Sequence, residues 1–186
     1  MSKELPSPEL LRKLLRYEPD TGKLYWRERT LDMFVDKKQG AKHNSAQWNC
    51  KYAEKDALAC VDQRGYKRGK IFGRVYLAHR VIWAMYYGEW PDYIDHINGV
   101  RDDNSISNLR SVTALENSRN AKRRYDNVSG VCGVGWLSDR KKWYARIKVD
   151  GKNKHLGCFT NFECAVAARK DAETKYGFHK NHGRQT

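Results

Sequence analysis

The chain opens on a short amphipathic pattern. Ser7 precedes Pro8, and leucines at 10, 11, 14 and 15 recur at the spacing of one helix face, which predicts a Ser7-capped helix running to about residue 16. Asp20-Thr21-Gly22 marks a turn, and Leu24-Tyr25-Trp26 reads as a short strand. Polar and apolar positions follow no period over 27–47, so that stretch is expected to be a loop or insertion, with a short helix near 44–52. Residues 57–61, 65–71 and 74–78 read as strands joined by tight turns at Gln63-Arg64-Gly65 and Phe72-Gly73. In HRVIWAMYYGEWP the period becomes helical: Val81, Ile82, Trp83, Met85 and Tyr86 form a buried helix ended by Gly88 and Pro91. His79, in its first turn, reads as a satisfied structural histidine.

The next stretch, IDHINGVRDDNSISNLRSVTALENSRN over residues 94–120, carries acid, imidazole and amide groups at spacings suited to one metal site. Asp95 and His96 end a first strand, Asn98-Gly99 and Asp102-Asp103-Asn104 make a turn-rich loop, and residues 108–112 return as a second strand. Thr113 and Glu116 form a capping box that opens a helix, with Asn117 in its first turns near the positive end of the helix dipole. A phosphate oxygen or a metal-bound anion is favoured there. Successive strand residues point to opposite faces, so Asp95 and His96 share a site only if the strand ends or bends between them.

A basic run, Lys122, Arg123 and Arg124, then trails into Asn127, Ser129 and Gly130, which reads as a linker over 121–129 between a domain of residues 1–120 and one of 130–186. The last domain alternates. Trp143, Ala145 and Ile147 fall on one face of a strand and Lys142, Tyr144, Arg146 and Lys148 on the other, with flanking strands expected at 133–137 and 154–159. Thr160 and Glu163 read as a second capping box, opening a helix with Ala165, Ala168, Ala172 and Tyr176 on one side and Gly177 at its end. The fold class expected is α+β: two strands and a helix behind N-terminal strands and helices, then a three-stranded antiparallel sheet packed on one helix.

Charge sharpens this picture. The formal net charge is +14, and residues 119–186 hold 16 basic against 6 acidic side chains while residues 1–118 hold 20 against 16. A polyanionic partner is expected, gripped chiefly by the C-terminal part. No apolar run is long enough to span a membrane and the first residues lack the form of a signal peptide, so an intracellular protein is expected, in the host cytoplasm if phage-encoded. Five cysteines without a C-x-x-C pair suggest neither a disulfide framework nor a zinc knuckle, and are read as buried, reduced thiols. No feature indicates an obligate protein partner.

The strings IDHING, SNLR and ENSRN resemble the HNH nuclease motif with its ββα-metal fold, in particular the homing endonucleases of phages. The resemblance implies that His96 is the general base, that Asp95 and Asn117 hold one divalent cation, and that Asn108 orients His96. The family's third letter is often histidine; Asn117 stands there in this chain, which favours a weakly held Mg²⁺ (or Mn²⁺) over Zn²⁺. These residue types suit phosphodiester hydrolysis: imidazole titrates near neutrality, and a hard cation steadies charge on phosphate and leaving oxygen.

The strings GVGW, KWYARIKVDGK and HLGCF resemble the plant Apetala-two/ethylene-response-factor DNA-binding domain, which lays its sheet in the major groove. That resemblance implies contact with double-stranded DNA through Arg146, Lys148, Asn153 and His155, with Tyr144 on the same face. Arg110, Lys122, Arg123 and Arg124 complete the candidate DNA-contacting set. Gly135 and Leu137 stand where the plant domain usually has arginines. Competing with the nuclease reading are a DNA-binding protein whose nuclease site has decayed and, less well matched to a groove-reading sheet, an RNA-directed nuclease.

Overall fold

A computed structural model describes residues 4–34, 40–120, 123–180 and 182–184. They form a mixed α/β architecture of small antiparallel sheets and five α-helices, grouped into two compact units, Met1–Val112 and Thr113–Thr186.

In the first unit, α1 (Pro8–Leu14) starts as its sequence dictates, with Ser7 Oγ accepting the Leu10 N–H at 3.2 Å. It stops short of residue 16 because Leu15 turns extended and begins β1 (Leu15–Glu18), which pairs with β2 (Lys23–Trp26). Leu11, Leu14 and Leu15 are all fully buried across this change of conformation. Burial of each is worth about 2 kcal/mol, so the core rather than helix propensity sets the boundary. Next, α2 (Ala41–Tyr52) begins earlier than residue 44. Its polar Asn49 anchors it, accepting from the Arg29 N–H at 3.0 Å and donating to the Arg29 carbonyl at 2.9 Å.

The single strand expected over 57–61 is two. β3 (Asp56–Ala57) joins β2, whereas β4 (Cys60–Val61) joins β5 (Lys67–Ile71) and β6 (Arg74–Leu77) in a separate sheet. Between them Leu58 adopts a left-handed conformation (φ +52°) with its side chain buried. The αL cost of about 1–2 kcal/mol is offset by that burial.

The apolar helix is α3 (Ala78–Tyr87), ended by Gly88 at φ +83°. Val81, Ile82 and Ala84 are fully buried, and Trp83 and Met85 nearly so, but Tyr86 points to solvent and is 53% exposed. The sequence run made it look buried, yet it lies in the helix's last turn beside the equally exposed Tyr87. β7 (Tyr93–His96) and β8 (Leu109–Val112) then form a two-stranded ladder, with Leu109 tied into the same core.

The second unit begins with α4 (Ala114–Arg119), whose capping box is fully formed: Thr113 N–H donates to Glu116 Oε2 at 2.8 Å, and Glu116 N–H donates to Thr113 Oγ1 at 3.2 Å. Residues 113–120 and 123–130 group with the C-terminal part: His179 N–H donates to the Arg119 carbonyl, Arg184 Nη1 to the Asn120 carbonyl and Ser129 Oγ to the Val134 carbonyl. The division of the chain thus falls ahead of the 121–129 stretch read as a linker. β9 (Val134–Leu137), β10 (Lys142–Val149) and β11 (Lys152–Phe159) make an antiparallel meander.

Across that sheet packs α5 (Phe162–Lys175), through Ala165 on Val134 and Ala145, and Ala172 on Ile147 and Val149. It starts one residue later than expected. Asn161, not Thr160, is the cap, its Oδ1 accepting the Glu163 N–H at 2.7 Å. The buried face is also not purely small and apolar, since Arg169 is 4% exposed, donating to Glu173 Oε1 at 2.9 Å and to the Arg146 carbonyl at 2.8 Å. Nor are the thiols buried: Cys50, Cys60 and Cys164 are exposed and Cys132 and Cys158 partly so. Among the described residues no helix is long and apolar enough to cross a membrane.

Candidate active site and nucleic-acid surface

The β7–β8 register sets Asp95 opposite Arg110 and His96 opposite Leu109. β7 runs through both residues without the end or bend expected between them, so strand alternation gives the two neighbouring side chains different surroundings. The Asp95 carboxylate meets its cross-strand partner, with Oδ2 accepting from Arg110 Nη2 at 2.6 Å and Nε at 3.0 Å. The His96 ring reaches Asn104 Oδ1, 3.1 Å from Nε2, and is flanked by His79 (ring centroids 5.1 Å apart, near perpendicular) and Tyr66 (5.9 Å). Both side chains are more than nine-tenths buried.

Asn104 is itself fixed from a distance. Tyr17 on β1 donates its hydroxyl to the Asn104 carbonyl at 3.0 Å, and burial pushes that phenol's pKa up to about 12. Gly22 (φ +66°) lies against the 104–105 peptide so closely that an added Cβ would stand 2.5 Å from Asn104 C and Ser105 N. Neither residue carries a sequence signal for this task; only the fold brings β1 and its turn under the loop.

Asn108, expected to orient His96, does something else. Its Oδ1 accepts the Asn98 N–H at 2.9 Å, its Nδ2 donates to the Asp103 carbonyl at 2.8 Å, and its own carbonyl accepts the Ile97 N–H at 2.9 Å. At the end of a single 3₁₀ turn (Ile106–Asn108), its side chain spans the neck of the loop and closes it. The residue touching the imidazole is Asn104. Within the same loop Asp103 is held below the usual carboxylate range: burial works against this, but donors from Ser105 and Asn98 outweigh it.

Burial is the main cause of a lowered His96 pKa, only partly opposed by the bond to Asn104. His79, which the sequence suggested was satisfied, is buried with Nδ1 unpartnered among the described residues, and its pKa is pushed down to about 3 by burial and then by the neighbouring His96. Both imidazoles are therefore neutral at neutral pH. Because an amide oxygen only accepts, Asn104 assigns the His96 proton to Nε2 and leaves the lone pair on Nδ1.

For a cation, the chemistry of the donors is decisive. Among the described residues no three His, Cys, Asp or Glu side chains gather as a metal-holding group, so a zinc-type cage is absent from them. Asp95 is a carboxylate on β7 and Asn117 an exposed amide of α4, donor types that a hard cation takes. Arg110 would share the Asp95 carboxylate with it.

In the second unit the register aligns the expected DNA-facing residues. Arg146 stands opposite His155 and Lys148 opposite Asn153, all exposed, beyond an irregularity between Ala145 and Arg146. Tyr144 is half-buried because its ring lies on Gly135 across the ladder, where a Cβ would meet the phenol oxygen at 2.6 Å. A bulkier residue at 135 would have to displace the Tyr144 ring from that position. His155 Nε2 lies 3.6 Å from Cys158 Sγ. Arg124 is paired with Asp126 at 2.8 Å and Arg123 with the Gly130 carbonyl, so both are partly committed to their own loop; Lys122 lies outside the described residues.

The stretch that holds Asp95, His96, Asn104, Asn108 and Asn117 has relatives. Residues 76–119, from β6 to α4, match the HNH endonuclease family. The chain belongs to the family of Protein 3.8 of Escherichia phage T7, to which it is 34% identical over 92 residues, 48% of this chain and 76% of that protein. No solved structure matches it.

Proposed function

We propose that the protein is a metal-dependent HNH homing endonuclease that hydrolyses phosphodiester bonds in double-stranded DNA. The observation that carries this reading is the His96 imidazole within the HNH-matched stretch, buried, neutral and held through Nε2 by Asn104. In this reading Nδ1 takes a proton from water, the water oxygen attacks phosphorus, and the bond to the 3′ oxygen breaks. Proton removal works near neutral pH because burial keeps the imidazole in its basic form. Asp95 and Asn117, both inside the matched stretch, are the side chains that would hold Mg²⁺ or Mn²⁺. Such a cation would supply electrostatic stabilisation of the phosphate and the leaving oxygen. Arg110 steadies the Asp95 carboxylate.

The C-terminal sheet, of the Apetala-two/ethylene-response-factor type, grips the duplex through Tyr144, Arg146, Lys148, Asn153 and His155. Its support is a three-stranded antiparallel meander with one helix across it and a cationic exposed face, in the part of the chain with the greater positive charge. Backbone contacts there position the enzyme while a few base contacts select the site.

The test is to measure duplex binding and strand cleavage together in the parent and in His96→Ala. Loss of the base should lower cleavage by roughly 10²–10⁴-fold and leave duplex affinity nearly unchanged. A parent protein that binds duplex tightly yet shows no metal-dependent cleavage of any sequence containing its binding site would instead establish a binding protein with a decayed site.

A further inference from the structure

A second site lies in the N-terminal unit, and none of its lining residues belongs to the His96 cluster. It is a cavity of about 630 Å³ between α2, the end of β2 and the β4–β5–β6 sheet. Its wall is aromatic: Trp26 and Trp48 meet edge to face at 5.7 Å, and the Arg29 guanidinium sits 3.8 Å over the Trp48 ring and 5.6 Å from that of Phe72. Arg29 is held by rings at the cavity wall and has no carboxylate partner among the described residues. Arg68 and Lys70, two apart on β5 and therefore on one face, line it as well; both are exposed, and among the described residues neither is ion-paired.

Phe72 is the least expected member. It occupies the first central position of the two-residue β5–β6 turn with φ +49°, followed by Gly73 at +79°. Asn, Asp or Gly is the ordinary choice there, and a bulky residue at positive φ is strained. Burial does not offset that strain, since the side chain is 59% exposed. Strain kept at an exposed aromatic that faces a cavity points to a ligand rather than to folding.

We propose that this cavity binds one unpaired nucleotide of a DNA strand, its base stacked on Phe72 and its flanking phosphates on Arg68 and Lys70. The volume falls within the ordinary range of small-ligand pockets, roughly 300–1,000 Å³. Among the described residues three cations against one lining carboxylate, Asp56, select an anion that also presents a flat ring, and Asp56 accepts from a base N–H. A base inside a duplex has both faces covered by its neighbours, so only an unpaired or extruded one offers a face to the wall. The inference takes its ligand class from the nucleic-acid reading above and adds to it a separate subsite on the nuclease-bearing unit, one that recognises an opened duplex or a strand end.

The test uses the full chain in chelator, so that nothing is cut, and three probes of equal length: a mixed-sequence single strand, the same strand made fully abasic, and the paired duplex. Phe72→Asn relaxes the turn and so should leave the melting temperature unchanged or raised. It should weaken binding of the base-containing strand by roughly 5- to 150-fold, the loss of one stacking contact, while abasic-strand and duplex affinities stay at the parent's values. Arg68→Gln with Lys70→Gln should weaken both single strands. Cys60, exposed and lining the cavity, should be shielded from alkylation by the base-containing strand and not by the abasic one, as read by peptide mass spectrometry. The proposal is overturned if Phe72→Asn binds the base-containing strand as the parent does, or if Cys60 is alkylated equally with either strand. A parent that binds duplex but does not distinguish the two single strands defeats this site alone; one that binds neither strand nor duplex defeats the nucleic-acid reading and this site with it.

Discussion

Asn104→Leu separates the side chain that touches the proposed base from the one the sequence motif nominated. Asn104 is 1% exposed, and its Oδ1 is the acceptor for His96 Nε2 at 3.1 Å, so leucine of similar size removes the acceptor without opening much space. A buried N–H left without a partner costs about 1–3 kcal/mol. The variant also deletes Asn104 Nδ2, a buried donor already unpartnered among the described residues, which offsets part of that cost and puts the net near the lower end. At about 1 kcal/mol the melting temperature of a unit this size should fall by roughly 4 °C, readable by calorimetry. Catalysis should fall further, by about 10²-fold, because the imidazole loses its orientation and its fixed tautomer while duplex binding is untouched.

Two companions show whether the effect runs through His96. Gly22→Ala, which touches the 104–105 peptide and not the ring, should reproduce the loss of rate by displacing that peptide. Asn104→Asp places a carboxylate on Nε2–H, favours the imidazolium, and should move the rise of the rate with pH to higher pH, since the base must be neutral. Parental cleavage by a normally folded Asn104→Leu would refute this reasoning, and a larger catalytic loss in Asn108→Leu at equal stability would return the orienting role to Asn108.

The buried His79 and the basic sheet each carry a prediction of their own. His79 has its folded pKa near 3 against about 6.5 in an unfolded chain, so below about pH 6.5 the unfolded state takes up a proton that the folded state does not. Stability should therefore be unaffected by His79 above pH 6.5 and decline steadily as pH falls toward 3, by about 2 kcal/mol at pH 5. His79→Phe should flatten that decline in chemical denaturation curves, and an unchanged slope would assign it to other groups. In the C-terminal unit, Arg146→Ala should cost on the order of 1–3 kcal/mol in affinity for the preferred duplex if the side chain reads a base. Binding of every sequence at the parent's strength in a filter or anisotropy assay would remove Arg146 from the contact surface.

The features legible in the chain alone lie within windows of a few residues: the Ser7-Pro8 start of α1, the Gly88 stop of α3, the Thr113–Glu116 capping box, and the alternation that puts Arg146 and Lys148 on the face opposite Ala145 and Ile147. These are near-neighbour hydrogen bonds and periodicities, set by spacing along the chain. The nuclease motif was legible for the same reason, because Asp95, His96 and Asn117 are read at fixed offsets. Tertiary packing settled the rest. It chose Asn104 over Asn108 as the partner of His96, set Tyr17 and Gly22 beneath it from far upstream, and closed His79 and Tyr66 around the ring. It also broke 57–61 at Leu58 between two sheets, buried Arg169 beside Ala165 and Ala172 on α5, and gathered Trp26, Arg29, Trp48 and Phe72 about one cavity. Each of these depends on which strands lie side by side once the shared core closes. That choice is made by summed burial across distant segments, and local spacing carries no record of it.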